Sequence, residues 1–324
     1  MDRIGKYEIE APLLETSFSD LYIARQPDGD GYLAVKVFHP KGSNVGEEAK
    51  YGEAFWRTRF IEEAKIMARF DHPNLVHAVD VGETEAGAPY VVMPFLEANL
   101  LYEIGEDADT PEEIEKLPKQ WRPRPVSPRR AAEVWRQMLA GLAALHDAGL
   151  VHRDIKPPNV LLDSKQRGNV KLCDFGMVKV PDAKGSRSGI WVGTIEYMSP
   201  EQRKSAKEVD ARSDVYSAGV VMYRMLSGRL PVKGRAPMRT GRFGIPQGLV
   251  DLIEACMMPR RRDRPKHAGD ALEKFDEIIP NLRVLSDKSR IPLRAASVKV
   301  ITTCLLYTSP SPRDRSLSRM PSSA

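Results

Sequence analysis

The stretch HRDIKPPN, residues 152–159, sets an aspartate, a lysine and an asparagine at fixed spacing in one short segment. Those residue types suit phosphoryl transfer from a nucleotide. That reaction needs a held Mg²⁺, neutralised phosphates and a carboxylate that orients the acceptor hydroxyl, with little covalent help. Asp154 can accept the hydroxyl proton, Lys156 can reach the moving phosphoryl group, and Asn159 offers a neutral oxygen to a metal. Asp174, in CDFG, brings a carboxylate to the same metal. Lys36, within LAVKVF, can pair the α- and β-phosphates, and Glu63, within RFIEEAKIMARF, can hold that lysine in place.

The elements that must position these groups are legible as periods. Leu33–Phe38 and Tyr90–Met93 are short apolar runs bounded by turn residues and read as strands. Between them Phe60, Ala64, Met67 and Phe70 fall on one helical face. From Pro128 the period turns helical, with Trp135, Met138, Leu139, Leu142 and Leu145 in one stripe. Val160–Leu162 and Val170–Cys173 flank the polar turn DSKQRGN and predict a hairpin between the two metal-facing motifs. Val215–Leu226 is apolar nearly all round and predicts a fully buried helix, followed by helices over Leu249–Met258 and Ala268–Ile279. Strands with one helix, then mostly helices, predict an α+β chain of two lobes.

The order of AVK, helix glutamate, HPNLV, HRDxKxxN, DFG and GTIEYMSPE resembles the eukaryotic-like (Hanks-type) protein kinases, and in wording the bacterial serine/threonine kinases. The resemblance covers residues 7 to about 280. It implies a β-rich N-lobe and hinge over residues 1–96 and a mostly helical C-lobe over 97–282. It implies ATP with Mg²⁺ (Mn²⁺ as the alternative), Ser/Thr-bearing protein substrates, and self-association for autophosphorylation. Lys156 in DxKxxN speaks for Ser/Thr rather than Tyr as acceptor. By the same resemblance Met93 stands at the gatekeeper and Leu96 supplies a hinge N–H to adenine. Ala34 and Leu161 bound the adenine from two sides, with Leu13 and Leu21 above. Thr194 belongs to the substrate-binding loop, Glu201 pairs with Arg264, and Asp214 braces the backbone of the HRD motif. Arg153 is expected to meet phosphate on the activation segment, where Ser186 and Ser188 are the exposed hydroxyls.

One motif departs from the family. Leu14, Thr16 and Ser19 stand where a glycine-rich phosphate loop has its three glycines, within the frame of Leu13, Phe18 and Leu21. Glycine serves such loops by allowing positive φ and close backbone approach. The rival reading is therefore a pseudokinase scaffold with weak or no turnover. A small-molecule phosphotransferase shares the aspartate–asparagine pair but lacks the platform at Gly193–Glu201.

The 324 residues are 42% hydrophobic, enough for a core and too many for a disordered chain. The net charge of +5 invites a nucleic-acid partner. Its distribution argues against one, because residues 283–324 carry a net +6 and the rest a net −1. Cys173, Cys256 and Cys304 stand alone, without disulfide or metal spacing. With no apolar run long enough to cross a bilayer and no apolar leader, the chain is expected in the cytoplasm, without membrane or nucleic-acid partners. Residues 103–128 hold an acidic run and then a basic, proline-rich one, and read as a solvated surface insert. Residues 283–324 read as a disordered basic tail. Within it, CLLYTSPSPRDRS at 304–316 resembles translated sequencing-adapter read-through, so 304–324 is expected not to be gene-encoded and the natural chain to be cut short.

Overall fold

The computed structural model describes residues 3–16, 18–27, 29–39, 52–108, 110–163, 168–175, 195–205, 208–231, 245–281 and 285. Six antiparallel strands form the N-lobe sheet: β1 (Arg3–Ile4), β2 (Tyr7–Glu15), β3 (Ser19–Arg25), β4 (Tyr32–Phe38), β5 (Asp80–Glu83) and β6 (Pro89–Pro94), in spatial order β1-β2-β3-β4-β6-β5. Leu33, Val35 and Val37 point to one face of β4, where Ile4, Tyr7, Ala24, Tyr90 and Val92 enclose them. Ala34, Lys36 and Phe38 take the other face, as the two-residue period of a strand requires. Helix α1 (Glu53–Arg69) covers that second face and buries Phe60, Glu63, Ala64, Ile66 and Met67. The alternation in LAVKVF thus delivers one lysine from an apolar strand to the helix.

The C-lobe begins with β7 (Ala98–Asn99), the short helices α2 (Leu101–Ile104) and α3 (Pro111–Lys116), and the long α4 (Pro128–Asp147). Ser127 caps α4 by accepting from the Arg130 N–H, and Pro128 fills the first turn, where no donor is needed. The stripe foreseen on α4 is fully buried, and Trp135 Nε1 donates to the Ala218 carbonyl at 2.9 Å. β8 (Val160–Leu162) and β9 (Val170–Leu172) form the expected hairpin, with β7 as the third strand. The helices α5 (Ala211–Ser227), α6 (Gln247–Cys256) and α7 (Ala268–Ile278) complete the lobe. HPNLV ties the lobes: the Val76 N–H donates to the Leu172 carbonyl at 2.9 Å, and Asn74 Nδ2 to the Val170 carbonyl at 2.8 Å.

Two expectations need revision. The 103–128 segment is solvated only in its middle, where α3 buries no residue: Trp121 and Val126 are buried in the main core, and buried Glu103 takes a bidentate pair of hydrogen bonds from Arg130. Apolar anchors spaced by prolines show no period, so the sequence pattern gave no sign of them. Leu285, beyond the boundary expected at 282, is 3% exposed and packs in the main core. The rest of the basic tail lies outside the described residues. No helix among the described residues is long and apolar enough to cross a membrane.

Candidate active site

Four segments converge where the lobes meet. From β4, Lys36 Nζ lies 2.8 Å from both Glu63 carboxylate oxygens of α1. Burial opposes the ammonium charge, but Glu63 and then Asp174 outweigh it and raise the lysine above its ordinary range. Lys36 is therefore a fixed cation, held by one carboxylate and close to a second.

The 151–159 loop places the next groups. Asn159 Nδ2 donates to Asp154 Oδ2 at 2.9 Å and to the Asp154 carbonyl at 2.7 Å. That leaves Asn159 Oδ1 as the oxygen for a cation. Lys156 Nζ lies 3.0 Å from Asp154 Oδ2. The Asp154 carboxylate is thus oriented by an amide and an ammonium, both on its Oδ2. Asp174 follows β9, and the Cys173 N–H before it donates to the Asn159 carbonyl at 3.1 Å. His152 Nε2 contacts the Cys173 carbonyl at 3.1 Å, joining the two motifs by a buried ring.

Two residues of this site hold strained backbone. Arg153 has φ of 70° and Asp174 φ of 67°, the left-handed region that non-glycine residues seldom occupy. Such conformations cost about 1–3 kcal/mol each and persist where the surroundings fix them. Asp214 is that fixture for Arg153. Its Oδ2 accepts from the His152 N–H at 2.7 Å and its Oδ1 from the Arg153 N–H at 2.8 Å. Burial works against ionised Asp214, but His146, 2.9 Å from Oδ2, and these N–H donors hold its carboxyl below the usual range. Gln202 Nε2 also donates to the Arg153 carbonyl.

The adenine-side residues divide between strands and lobes. Leu21 faces Lys36 across β3 and β4, and Ala34 faces Met93 across β4 and β6, so all four share the α1 face of the sheet. Leu13 is buried with Ile23 in a small cluster closed by Leu21 and Phe95. Leu96 and Leu161 are half-buried, each packed against the main core. Arg264 holds both Glu201 oxygens, at 2.6 and 2.9 Å, and Ser213 Oγ adds a bond of 2.7 Å. Thr194, Ser186 and Ser188 lie outside the described residues.

The glycine-free loop is relaxed. Among its described residues none has positive φ. Thr16 Oγ1 accepts from the Ser19 N–H at 3.0 Å and donates to the Ser19 carbonyl at 2.7 Å. A side chain thus closes the hairpin turn, and it occupies a backbone donor that phosphates would otherwise meet.

Sequence reasoning missed Trp56, Arg59, Asp107, His146 and Gln202. Arg59, His146 and Gln202 each lay beside a recognised motif or stripe and Asp107 lay within the acidic run, but none has a spacing that marks it.

The donor set suits Mg²⁺. Asp174 and Asn159 give hard oxygens, and among the described residues no three His, Cys, Asp or Glu side chains gather into a cage. Mg²⁺ characteristically takes one or two protein oxygens and completes its octahedron with phosphates and water.

The family model for the protein kinase domain matches residues 7–297. The serine/threonine-protein kinase pkn2 of Myxococcus xanthus is 37% identical over 238 residues, covering 72% of this chain and 26% of that protein. PknL of Mycobacterium tuberculosis is 38% identical over 314 residues, 91% of this chain and 72% of PknL. The chain therefore spans about a quarter of the length of the Myxococcus relative. The crystal structure of the Mycobacterium tuberculosis PknI kinase domain matches with a TM-score of 0.57 at 21% identity, over 85% of this chain and 97% of that one, a likeness of fold. With the family model running from β2 past α7, and with its motifs gathered at one junction between the lobes, the chain belongs to the protein kinase domain family.

Proposed function

We propose that this chain is a serine/threonine protein kinase that moves the γ-phosphoryl group of ATP to Ser or Thr hydroxyls of proteins. The observation that carries the reading is the Lys36–Glu63 pair at 2.8 Å, formed together with an Asp154 carboxylate oriented by Asn159 and Lys156. A buried lysine needs its carboxylate in any fold, but a scaffold without turnover has no need of the oriented Asp154 carboxylate.

When bound, Mg·ATP supplies the phosphoryl group and neutralises part of its own charge. Asn159 Oδ1 and Asp174 would hold the cation, and Lys36 the α/β-phosphates. Leu13, Leu21, Ala34, Met93, Leu96 and Leu161 would enclose adenine. Asp154 orients the acceptor hydroxyl and takes its proton at a carboxylate oxygen. Lys156 sets a positive charge beside the moving group. We place this work in the cytoplasm, with protein acceptors that include a second copy of the chain at Ser186 and Ser188.

The test is transfer of labelled phosphate with Mg²⁺ onto casein and myelin basic protein, wild type beside Asp154→Asn. Transfer by wild type and its loss in the variant support the reading. Mg·ATP binding without transfer to any protein, itself included, overturns it in favour of the pseudokinase.

A further inference from the structure

The segment after α2 returns a carboxylate to the region that the kinase reading assigns to the acceptor protein. Gly105, at φ of 75°, turns the chain so tightly that a Cβ there would meet the Arg122 carbonyl at 2.2 Å. The two arms beyond it run together: the Glu106 N–H donates to the Trp121 carbonyl at 2.8 Å, and the Arg124 N–H to the Ile104 carbonyl at 2.9 Å. Trp121 and Val126 anchor the second arm in the core. Between them α3 carries a capping box, Thr110 with Glu113, so its start is locally fixed.

Asp107 sits just beyond that turn and both its oxygens are engaged. Oδ1 accepts from Arg224 Nε at 2.6 Å, and Oδ2 from the Tyr197 hydroxyl at 2.7 Å. Arg224 lies on α5 and is 1% exposed. Its Nη2 also donates to the carbonyls of Ile104, Gly105 and Glu106, at 3.2, 3.3 and 3.1 Å. Tyr197 is buried in the one-turn helix Ile195–Tyr197, and its carbonyl accepts from Ser217 Oγ of α5 at 2.8 Å. The turn is thus gripped by α5 at its backbone and by the insert at its side chain.

A buried ion pair contributes little net stability over apolar residues of the same volume, because desolvation offsets the attraction. What such a pair supplies is a defined place for the groups it bonds. Here the group is Tyr197, four residues before Glu201, which Arg264 and Ser213 fix independently.

We propose that Asp107 is a positioning residue for the acceptor protein: through Tyr197 it sets the place of the 195–199 turn on which the acceptor docks, and the 105–127 insert is the device that delivers it. The proposal rests on the kinase reading.

The test uses the full chain with Asp107→Ala, Tyr197→Phe and the double variant, myelin basic protein as acceptor, and separate titrations of acceptor and ATP. Tyr197→Phe leaves the Asp107–Arg224 pair in place, so it remains informative if Asp107→Ala folds poorly. Each single variant is expected to raise the acceptor KM about tenfold, with the ATP KM and kcat within about twofold. The double variant should add nothing to Asp107→Ala, since the Asp107–Tyr197 hydrogen bond is already lost there. Hydrogen exchange of 195–205 should quicken in both single variants while α4 keeps its protection. An acceptor KM within twofold of wild type in Tyr197→Phe, or a fall in kcat at unchanged acceptor KM, overturns the proposal. Wild type that transfers nothing overturns the kinase reading instead, and the exchange of 195–205 then decides the brace: unchanged exchange overturns it.

Discussion

The Phe18 ring lies flat against Trp56, with centroids 3.9 Å apart and planes 20° apart. Phe18 is at the tip of the β2–β3 hairpin and Trp56 is in the first turn of α1, the helix that carries Glu63. The glycine-free lid is therefore attached to the same helix that holds the phosphate-facing lysine.

This changes what limits ATP binding. The positive φ expected of a glycine-rich loop would strain Leu14, Thr16 and Ser19, but no described residue of the loop adopts it. The cost is in donors, because Thr16 takes the Ser19 N–H. Replacing Leu14, Thr16 and Ser19 together by glycine is expected to tighten Mg·ATP binding in a calorimetric titration. Trp56→Ala removes an aromatic contact worth about 0.5–1.5 kcal/mol beyond its area. It should weaken binding by up to about tenfold. Equal affinity in wild type, the glycine variant and Trp56→Ala would show that the lid does not touch the phosphates.

Asp154→Asn keeps an amide in the space of the carboxylate but cannot take a proton. General-base contributions run to about 10²–10⁴-fold, so transfer should fall by that range with Mg·ATP binding nearly kept. Asp174→Asn should instead weaken the Mg²⁺ dependence of ATP binding. Rapid-quench transfer and calorimetry on the same preparations separate the two, and retention of more than about a tenth of the wild-type rate in Asp154→Asn would dismiss it as the base.

The pH dependence of stability has two opposed contributions. Burial alone would raise Glu201, but the bonds from Arg264 and Ser213 overcome it and bring its carboxyl down to about 2. Its folded value lies below the unfolded one of about 4.3, so its stabilisation is full above that value and is lost as pH falls towards 2. Glu106 runs the other way. Burial, then Asp107, push it up to about 7, so stability falls as pH rises from the unfolded value towards 7. Denaturant melts from pH 2 to 8 should show both slopes. Glu201→Gln should flatten the acid limb and lower stability by roughly 3–5 kcal/mol at pH 6, the cost of breaking a buried pair. Glu106→Gln should flatten the limb between pH 4 and 7. An acid limb that survives in Glu201→Gln would mean that other carboxylates carry it.

What the sequence made legible were groups packed into contiguous motifs. Asp154, Lys156 and Asn159 lie within six residues, so spacing alone predicts that they meet. Lys36 was legible because an alternating strand leaves its lysine one face to point to. Asp107 and Arg224 are 117 residues apart, and neither has a periodic partner. A signal was nevertheless present: an arginine inside a helix predicted to be buried all round requires an acid, and the acidic run at 103–115 was available to supply one. Trp56 was missed because its partner is a loop tip, which hydrophobic periodicity does not place.

The last prediction concerns Arg153. Its backbone is fixed by Asp214 at φ of 70°, which sets the direction in which its side chain leaves the loop. Burial, then the nearby charge of Arg59 on α1, lower it to about 10. Two like charges drawn together at the junction of the lobes are relieved by an anion between them. Ser186 and Ser188 are flanked by Lys184 and Arg187, all outside the described residues, and phosphate on either serine supplies that anion. Because Arg59 shares α1 with Glu63, pairing through phosphate would favour the helix position in which Glu63 holds Lys36. Charge-assisted bonds to phosphate are worth about 1.5–3 kcal/mol, so phosphorylation should raise kcat by about tenfold to a hundredfold. Arg59→Ala should remove that gain while the dephosphorylated protein keeps its wild-type rate, since Arg59 touches neither nucleotide nor acceptor in this reading. Mass spectrometry of active protein with neither serine phosphorylated, or Arg59→Ala protein that still gains fully from phosphate, would defeat the mechanism.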